Sequence, residues 1–263
     1  MSIFSIGHTA QVHAHMAGVT HRWWNPFLKH TQNPQVVQQA LLERILAYQA
    51  ETTFGKKYRL SRLRGYHEFR LGVPIHTYED FRPYLQAQED TKELQLNHDQ
   101  PVSYALTSGT TGKPKIIPIL PHTNRTLQHY QLLSTYAQYQ GISKIFHGKM
   151  LVLAGQVIEG YLESGTPYGS MSGLLASALP SVLQSSQILP ETIHGITDYQ
   201  QKYLYLAAWA LSEPDLSVVA TANPSTFIKL LEVGRRHFLQ IVEQLGLNRK
   251  KTPDWVAPFP SVG

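Results

Sequence analysis

Residues 107–115 read Thr-Ser-Gly-Thr-Thr-Gly-Lys-Pro-Lys, and their types and spacing suit phosphate chemistry. The hydroxyls of Ser108, Thr110 and Thr111, with exposed backbone N–H groups, can donate to phosphate oxygens. Each such charge-assisted bond contributes roughly 1.5–3 kcal/mol. Gly109 and Gly112 can adopt positive φ and let the backbone approach a ligand closely. Lys113 and Lys115 add positive charge, and Pro114 stiffens the exit of the loop. The P-loop pattern G-x-x-x-x-G-K-[ST] fails at two positions. Its first glycine falls on Thr107, and the Ser or Thr it requires after Lys113 is Pro114. Residues 102–106 and 116–120 read as short strands, so the arrangement is strand–loop–strand, whereas the P-loop pattern feeds a helix. The competing reading is a Gly/Ser/Thr hairpin loop with no ligand, against which the two lysines weigh.

Other stretches carry weaker chemistry. Thr221-Ala222-Asn223-Pro224 lies at the C-terminal end of an apolar run, where α/β sheets place ligands. Thr221 and Asn223 are therefore candidate substrate contacts, with Asn223 as a simple helix cap the equal alternative. The thirteen histidines include His13-x-His15. No His-Glu-x-x-His pattern and no thiol accompanies them, so no metal ligand is named. No Gly-x-Ser-x-Gly elbow occurs, which argues against a serine hydrolase. The densest basic stretch, Lys56 to Arg64, has Tyr58 and Tyr66 beside it. A nucleic-acid surface is one reading; a solvated face is favoured, because charge alone gives only nonspecific attraction.

The elements that must position these residues follow from caps and periodicity. Asn33-Pro34 opens a helix with Val37, Leu41, Ile45 and Tyr48 as an apolar stripe. Thr77 and Asp80 form a capping box for a short helix limited by Pro83. Thr123 or Asn124 caps a helix with Leu127, Tyr130, Leu133 and Ala137 on one face. Residues 150–154 and 216–222 are short apolar runs that read as buried strands. Thr197 and Gln200 box a helix reaching Ser212, and Asn223-Pro224 starts a long helix ending near Gly246. Helices alternating with short apolar strands give an α/β class. Residues 1–25 read as a poorly ordered leader, 26–250 as the folded part, and 251–263, with three prolines, as an extended tail and truncation point.

At 263 residues, 42% hydrophobic and 16% charged, the chain can bury a sizeable core and lacks a disorder signature. It has no cysteine, which excludes disulfides, thiolate metal sites and a cysteine nucleophile and fits a reducing compartment. No signal-peptide pattern and no apolar run of about 18 residues is present, so the expectation is a cytoplasmic protein without a membrane span. The net charge of +5 suits a phosphate-handling protein.

The segment Thr-Ser-Gly-Thr-Thr-Gly-Lys-Pro-Lys-Ile-Ile-Pro, residues 107–118, resembles the first nucleotide-binding motif of adenylate-forming enzymes. Its Lys-Ile-Ile-Pro ending is similar to one branch, the auxin-responsive acyl acid amido synthetases, or Gretchen Hagen family. Three further regions agree in order. One joins Thr53-Phe54-Gly55-Lys56 to Phe69-Arg70-Leu71-Gly72-Val73-Pro74-Ile75 and Tyr78-Glu79-Asp80-Phe81. The second runs from Gly165 to Gly173 and the third from Thr221 to Thr226.

The resemblance implies the N-terminal portion of an adenylate-forming large domain, mixed sheets flanked by helices. It implies ATP-dependent activation of a carboxylic acid as an acyl-adenylate, then amide formation with an amino acid. ATP and Mg2+ are the implied cofactors, with Ser108, Gly109, Thr110, Thr111, Gly112, Lys113 and Lys115 around the phosphates. Residues 165–173 then either border the acyl pocket or simply turn into a buried helix. The family's adenine, ribose and magnesium motifs and its lid domain come later and are not found here, so no catalytic residue is named. Two alternatives stay open: an adenylating ligase that passes the acyl group to coenzyme A, and a nucleotide- or acyl-binding module without turnover.

Overall fold

The computed structural model describes residues 3–107, 114–189, 193, 196 and 198–244. In chain order the elements are α1 (Ile3–Val19), α2 (Asn25–Thr31), α3 (Pro34–Tyr48), α4 (Thr53–Lys57), α5 (Gly65–Gly72), α6 (Tyr78–Thr91), β1 (Ser103–Thr107), β2 (Lys115–Ile119) and α7 (Pro121–Gly141). Then come β3 (Lys149–Leu153), β4 (Gly160–Tyr161), β5 (Pro167–Ser170), α8 (Met171–Ser177), α9 (Ser181–Gln184), α10 (Tyr199–Ser212), β6 (Leu216–Thr221), α11 (Pro224–Arg236) and α12 (Phe238–Gln244). The class is α/β, as the alternation of helical and short apolar segments implies. The chain divides into two compact units, one of Val19–Leu133 with Val157–Ala178, the other of Met1–Gly18, Ser134–Gln156 and Leu179–Gly263.

The first of these units is built on a four-stranded sheet of order β2-β1-β5-β4. β1 runs antiparallel to β2 and parallel to β5, and β4 runs antiparallel to β5. Ala105, Ile119 and Leu174 form a small buried core, with Leu127 and Met171 packed against it. A second anchor is polar. Glu89 of α6, only 4% exposed, accepts hydrogen bonds from the Tyr104 hydroxyl at 2.7 Å, from Lys92 Nζ at 2.7 Å, and from the hydroxyls of Ser164 and Thr166. Burial pushes its carboxyl up, but these four donors outweigh burial and bring it down to about 2. One carboxylate thus ties α6 to β1 and to the turn between β4 and β5. Aromatic packing joins the family-like stretches: Phe54 lies against Tyr58, Phe81 and Tyr84, and the Tyr58 hydroxyl meets His76 Nε2 at 2.8 Å.

The other unit holds the parallel pair β3–β6, with a bridge from Met150 to Gln187 on the outer side of β3. Leu151, Leu153, Leu206, Ala207, Leu230 and Ile241 are among the residues of its core, contributed by β3, α10, α11 and α12.

Several expectations differ from the structure. The leader is helical from Ile3 to Val19, with Val12 and Met16 fully buried at i,i+4 spacing. On α3 the expected apolar stripe is exposed at Val37, Leu41, Ile45 and Tyr48, and Leu46 is buried instead. Periodicity reports that a face is apolar; which face meets a neighbour depends on where the neighbours lie. Pro83 sits inside α6. The helix continues past it, because the capping box and the buried Leu85, Gln88 and Glu89 hold both sides of it. On α7 Tyr130 and Ala137 face solvent while Thr135 and Tyr136 are buried. The Asp198 side chain caps α10, accepting from Gln201 N at 2.7 Å; Thr197 lies outside the described residues. The long final helix breaks at His237, between α11 and α12. Residues 251–263 are outside the described residues.

Candidate nucleotide site

The phosphate-type loop is carried by an antiparallel pair. Tyr104 pairs with Pro118 and Leu106 with Ile116, and the register ends on Thr107 opposite Lys115. Directly opposed residues in such a pair have Cα atoms about 4.5–5.5 Å apart, so both ends of the loop are brought together on one edge of the sheet. Ser108, Gly109, Thr110, Thr111, Gly112 and Lys113 lie outside the described residues. Lys115 is described: it is the first residue of β2 and its side chain is exposed.

Two side chains of α6 hold the loop's exit. β2 is an edge strand, so half of its backbone N–H and C=O groups lack a strand partner. At Ile116 that lack is filled by Tyr78. Its hydroxyl donates to Ile116 O at 2.9 Å and accepts from Ile116 N at 2.8 Å. Lys115 Nζ lies 5.6 Å from the centroid of the same ring, within cation–π range. The Arg82 guanidinium sits 4.8 Å from that centroid. It grips Glu79 through Nε and Nη2 at 2.7 and 2.9 Å, and its Nη1 makes a long contact of 3.5 Å to the Pro114 carbonyl. Neither Tyr78 nor Arg82 is singled out by reading the chain, since their target lies more than thirty residues away. The Tyr-Glu-Asp-Phe stretch was the one available signal.

Beside β1, Leu106 pairs with Ser170 and Ala105 with Gly169. β1 and β5 are parallel, so the end of β5 and the start of α8 lie next to the strand that enters the loop. Ser170 caps α8 by accepting from Gly173 N at 2.9 Å, and Gly173 and Leu174 are buried. The stretch 165–173 therefore both turns into a buried helix and borders the loop's root.

Thr221 and Asn223 belong to the other unit. Asn223 Oδ1 accepts from Ser225 N at 3.0 Å and from the Ser225 hydroxyl at 2.9 Å, capping α11. Thr221 Oγ1 accepts from Asn223 N at 3.2 Å. A cavity of about 210 Å³ in that unit is lined by Leu216 and Val219 of β6 and by Phe227 and Leu230 of α11 among others. Its single hydroxyl, Ser217, donates to Ile145 O at 2.7 Å, so it offers no reactive group.

Among the described residues no group of three or more His, Asp or Glu side chains is placed to hold a metal ion. His13 instead hydrogen-bonds the Tyr139 hydroxyl and packs edge-on to His147 at 5.5 Å. In the basic stretch, Lys57 donates to the Tyr84 hydroxyl at 3.2 Å and Arg64 to the Ser61 carbonyl at 2.9 Å. Among the described residues no helix is long and apolar enough to cross a membrane.

The model for the GH3 family N-terminal domain matches residues 24–257. The indole-3-acetic acid-amido synthetase GH3.15 of Arabidopsis thaliana is 27% identical over 86% of this chain and 39% of its own length. The jasmonoyl–L-amino acid synthetase JAR4 of Nicotiana attenuata is 23% identical over 83% of this chain and 38% of its own. The solved GH3.15 acyl acid amido synthetase superposes with a TM-score of 0.65 at 20% identity, over 84% of this chain and 40% of that one, which shows a shared fold. The chain thus spans about two fifths of the length of these relatives.

Proposed function

The chain belongs to the GH3 family, through its N-terminal domain, and from that premise we propose that it forms the phosphate-gripping part of an ATP-dependent acyl acid amido synthetase. The observation that carries the reading is the strand–loop–strand unit clamped at its exit, with Lys115 exposed where the loop rejoins the sheet.

In this reading the substrate is a small carboxylic acid, and one carboxylate oxygen attacks the α-phosphorus of ATP. The bond to the pyrophosphate oxygen breaks, leaving an acyl-adenylate. The amine of an amino acid then attacks the acyl carbon and AMP departs, forming the amide. Charge builds on the phosphate oxygens as pyrophosphate leaves, and fixed donors that meet it lower the barrier. Ser108, Thr110 and Thr111 supply hydroxyl donors, Gly109 and Gly112 allow backbone approach, and Lys113 and Lys115 supply charge. Thr221 and Asn223, at the turn after β6, are the candidate substrate contacts. Mg2+, when bound with the nucleotide, would neutralise phosphate charge. The cysteine-free sequence is consistent with a reducing, cytoplasmic setting.

ATP–pyrophosphate exchange with a panel of carboxylic acids, run on this chain, tests the reading. Acid-dependent exchange supports it. ATP binding without exchange would make the chain a binding module, and the absence of both binding and exchange would refute the assignment of the loop. Exchange followed by acylation of coenzyme A and of no amino acid would replace amide formation with thioester formation.

A further inference from the structure

We propose that Tyr78 is the positioning residue of the phosphate loop: it locks the backbone at Ile116 and restrains Lys115 where the loop rejoins the sheet. The inference rests on the nucleotide reading of the loop.

Edge strands fray because one side of their backbone has only water as partner. β2 is such an edge, and its first residue is Lys115. A phenol can donate and accept at once. Tyr78 does both to one residue, meeting Ile116 O at 2.9 Å and Ile116 N at 2.8 Å, and so acts as a one-residue strand partner. This fixes the peptide next to Lys115. The same ring faces the Lys115 ammonium at 5.6 Å, which limits where the flexible lysine stem can go. Arg82 shares the ring at 4.8 Å, yet Glu79 neutralises it through two bonds of 2.7 and 2.9 Å. The ring therefore hosts Lys115 without a second uncompensated cation. Tyr78 itself extends from α6, which the Thr77–Asp80 capping box and buried Glu89 fasten to the unit. The loop's exit is thus set by a rigid element more than thirty residues upstream.

The test is a double-mutant cycle on ATP affinity, measured by calorimetry with Mg2+ present, using this chain and its Lys115→Ala, Tyr78→Leu and combined variants. Lys115→Ala is expected to weaken ATP binding about tenfold, the size of one charge-assisted bond. Tyr78→Leu is expected to weaken it by a similar factor, and the combined variant by no more than about twofold beyond either. A residue that merely supports the fold would give losses that multiply, so multiplied losses overturn the proposal, as does wild-type affinity in Tyr78→Leu. Tyr78→Phe keeps the ring under Lys115 and removes both bonds to Ile116; it is expected to fall between wild type and Tyr78→Leu. Should Tyr78→Leu fail to fold, the cycle is run with Tyr78→Phe, and losses that multiply there count equally against it. If Lys115→Ala binds ATP like wild type, or the unsubstituted chain binds none, the nucleotide reading falls and the inference with it. A loss in Lys115→Ala with none in Tyr78→Leu removes the inference alone.

Discussion

Replacing Glu89 by Gln removes the charge that four donors share. The carboxyl lies at about 2 in the folded protein against an ordinary value of 4.5. That difference corresponds to about 3 kcal/mol of folding stability, and the half-exposed end of Lys92 reduces it through solvent screening to roughly 2–3 kcal/mol. Gln keeps one acceptor oxygen but no charge, and its amide N–H faces either the Tyr104 hydroxyl, which must turn to accept, or the Lys92 ammonium, which cannot accept. The sign follows from the depressed value. Stabilisation from Glu89 is complete above about pH 4.5 and is lost as pH falls toward about 2. Urea unfolding of wild type and Glu89→Gln, followed by far-ultraviolet circular dichroism, is expected to show the variant weaker by roughly 2–3 kcal/mol at pH 7. The gap should close steadily between pH 4.5 and pH 2.5. A gap below about 0.5 kcal/mol at pH 7, or one that stays constant down to pH 3, would refute the argument that these hydrogen bonds hold the carboxylate charged.

Substitutions at three further positions probe other parts of the fold. A Cβ on Gly55 would sit 2.0 Å from the Gln49 carbonyl oxygen and 2.8 Å from that of Ala50, both backbone. Gly55→Ala should therefore cost about 3 kcal/mol or more, lowering Tm by roughly 6–12 °C in a thermal melt. Asn223→Ala removes the cap of α11 and should cost about 1 kcal/mol, read as a shift in the urea midpoint, while Asn223→Asp should keep most of it. Leu151 is fully buried in the β3–β6 core, so Leu151→Ala should cost roughly 2–5 kcal/mol in the same assay.

Local signals were readable where the physics is local. Thr77 with Asp80 and Asn223-Pro224 each mark a helix start that the structure contains, because a cap joins a side chain to a backbone group two or three residues away; Asn33 makes no such bond, and that start is marked by Pro34, whose fixed φ suits the first helical turn. The strand–loop–strand character of residues 103–119 was equally legible from Pro114 and the β-branched run after it. What failed depended on a distant partner. The stripe on α3 is exposed, the leader buries Val12 and Met16, and Pro83 is carried through a helix that its buried neighbours stabilise.

The residue types and spacing of the chain by themselves determined its α/β class, its family resemblance and a loop chemically suited to phosphate, since each of these is written in short-range sequence. Only the tertiary structure decided that β2 is an edge strand, that β5 lies beside β1, and that Tyr78, Arg82 and Glu89 of one helix secure the loop's exit and its sheet. Those pairings join residues from about fifteen to seventy-seven positions apart. Their free energy comes from satisfying backbone edges and a buried charge that no local segment can satisfy alone.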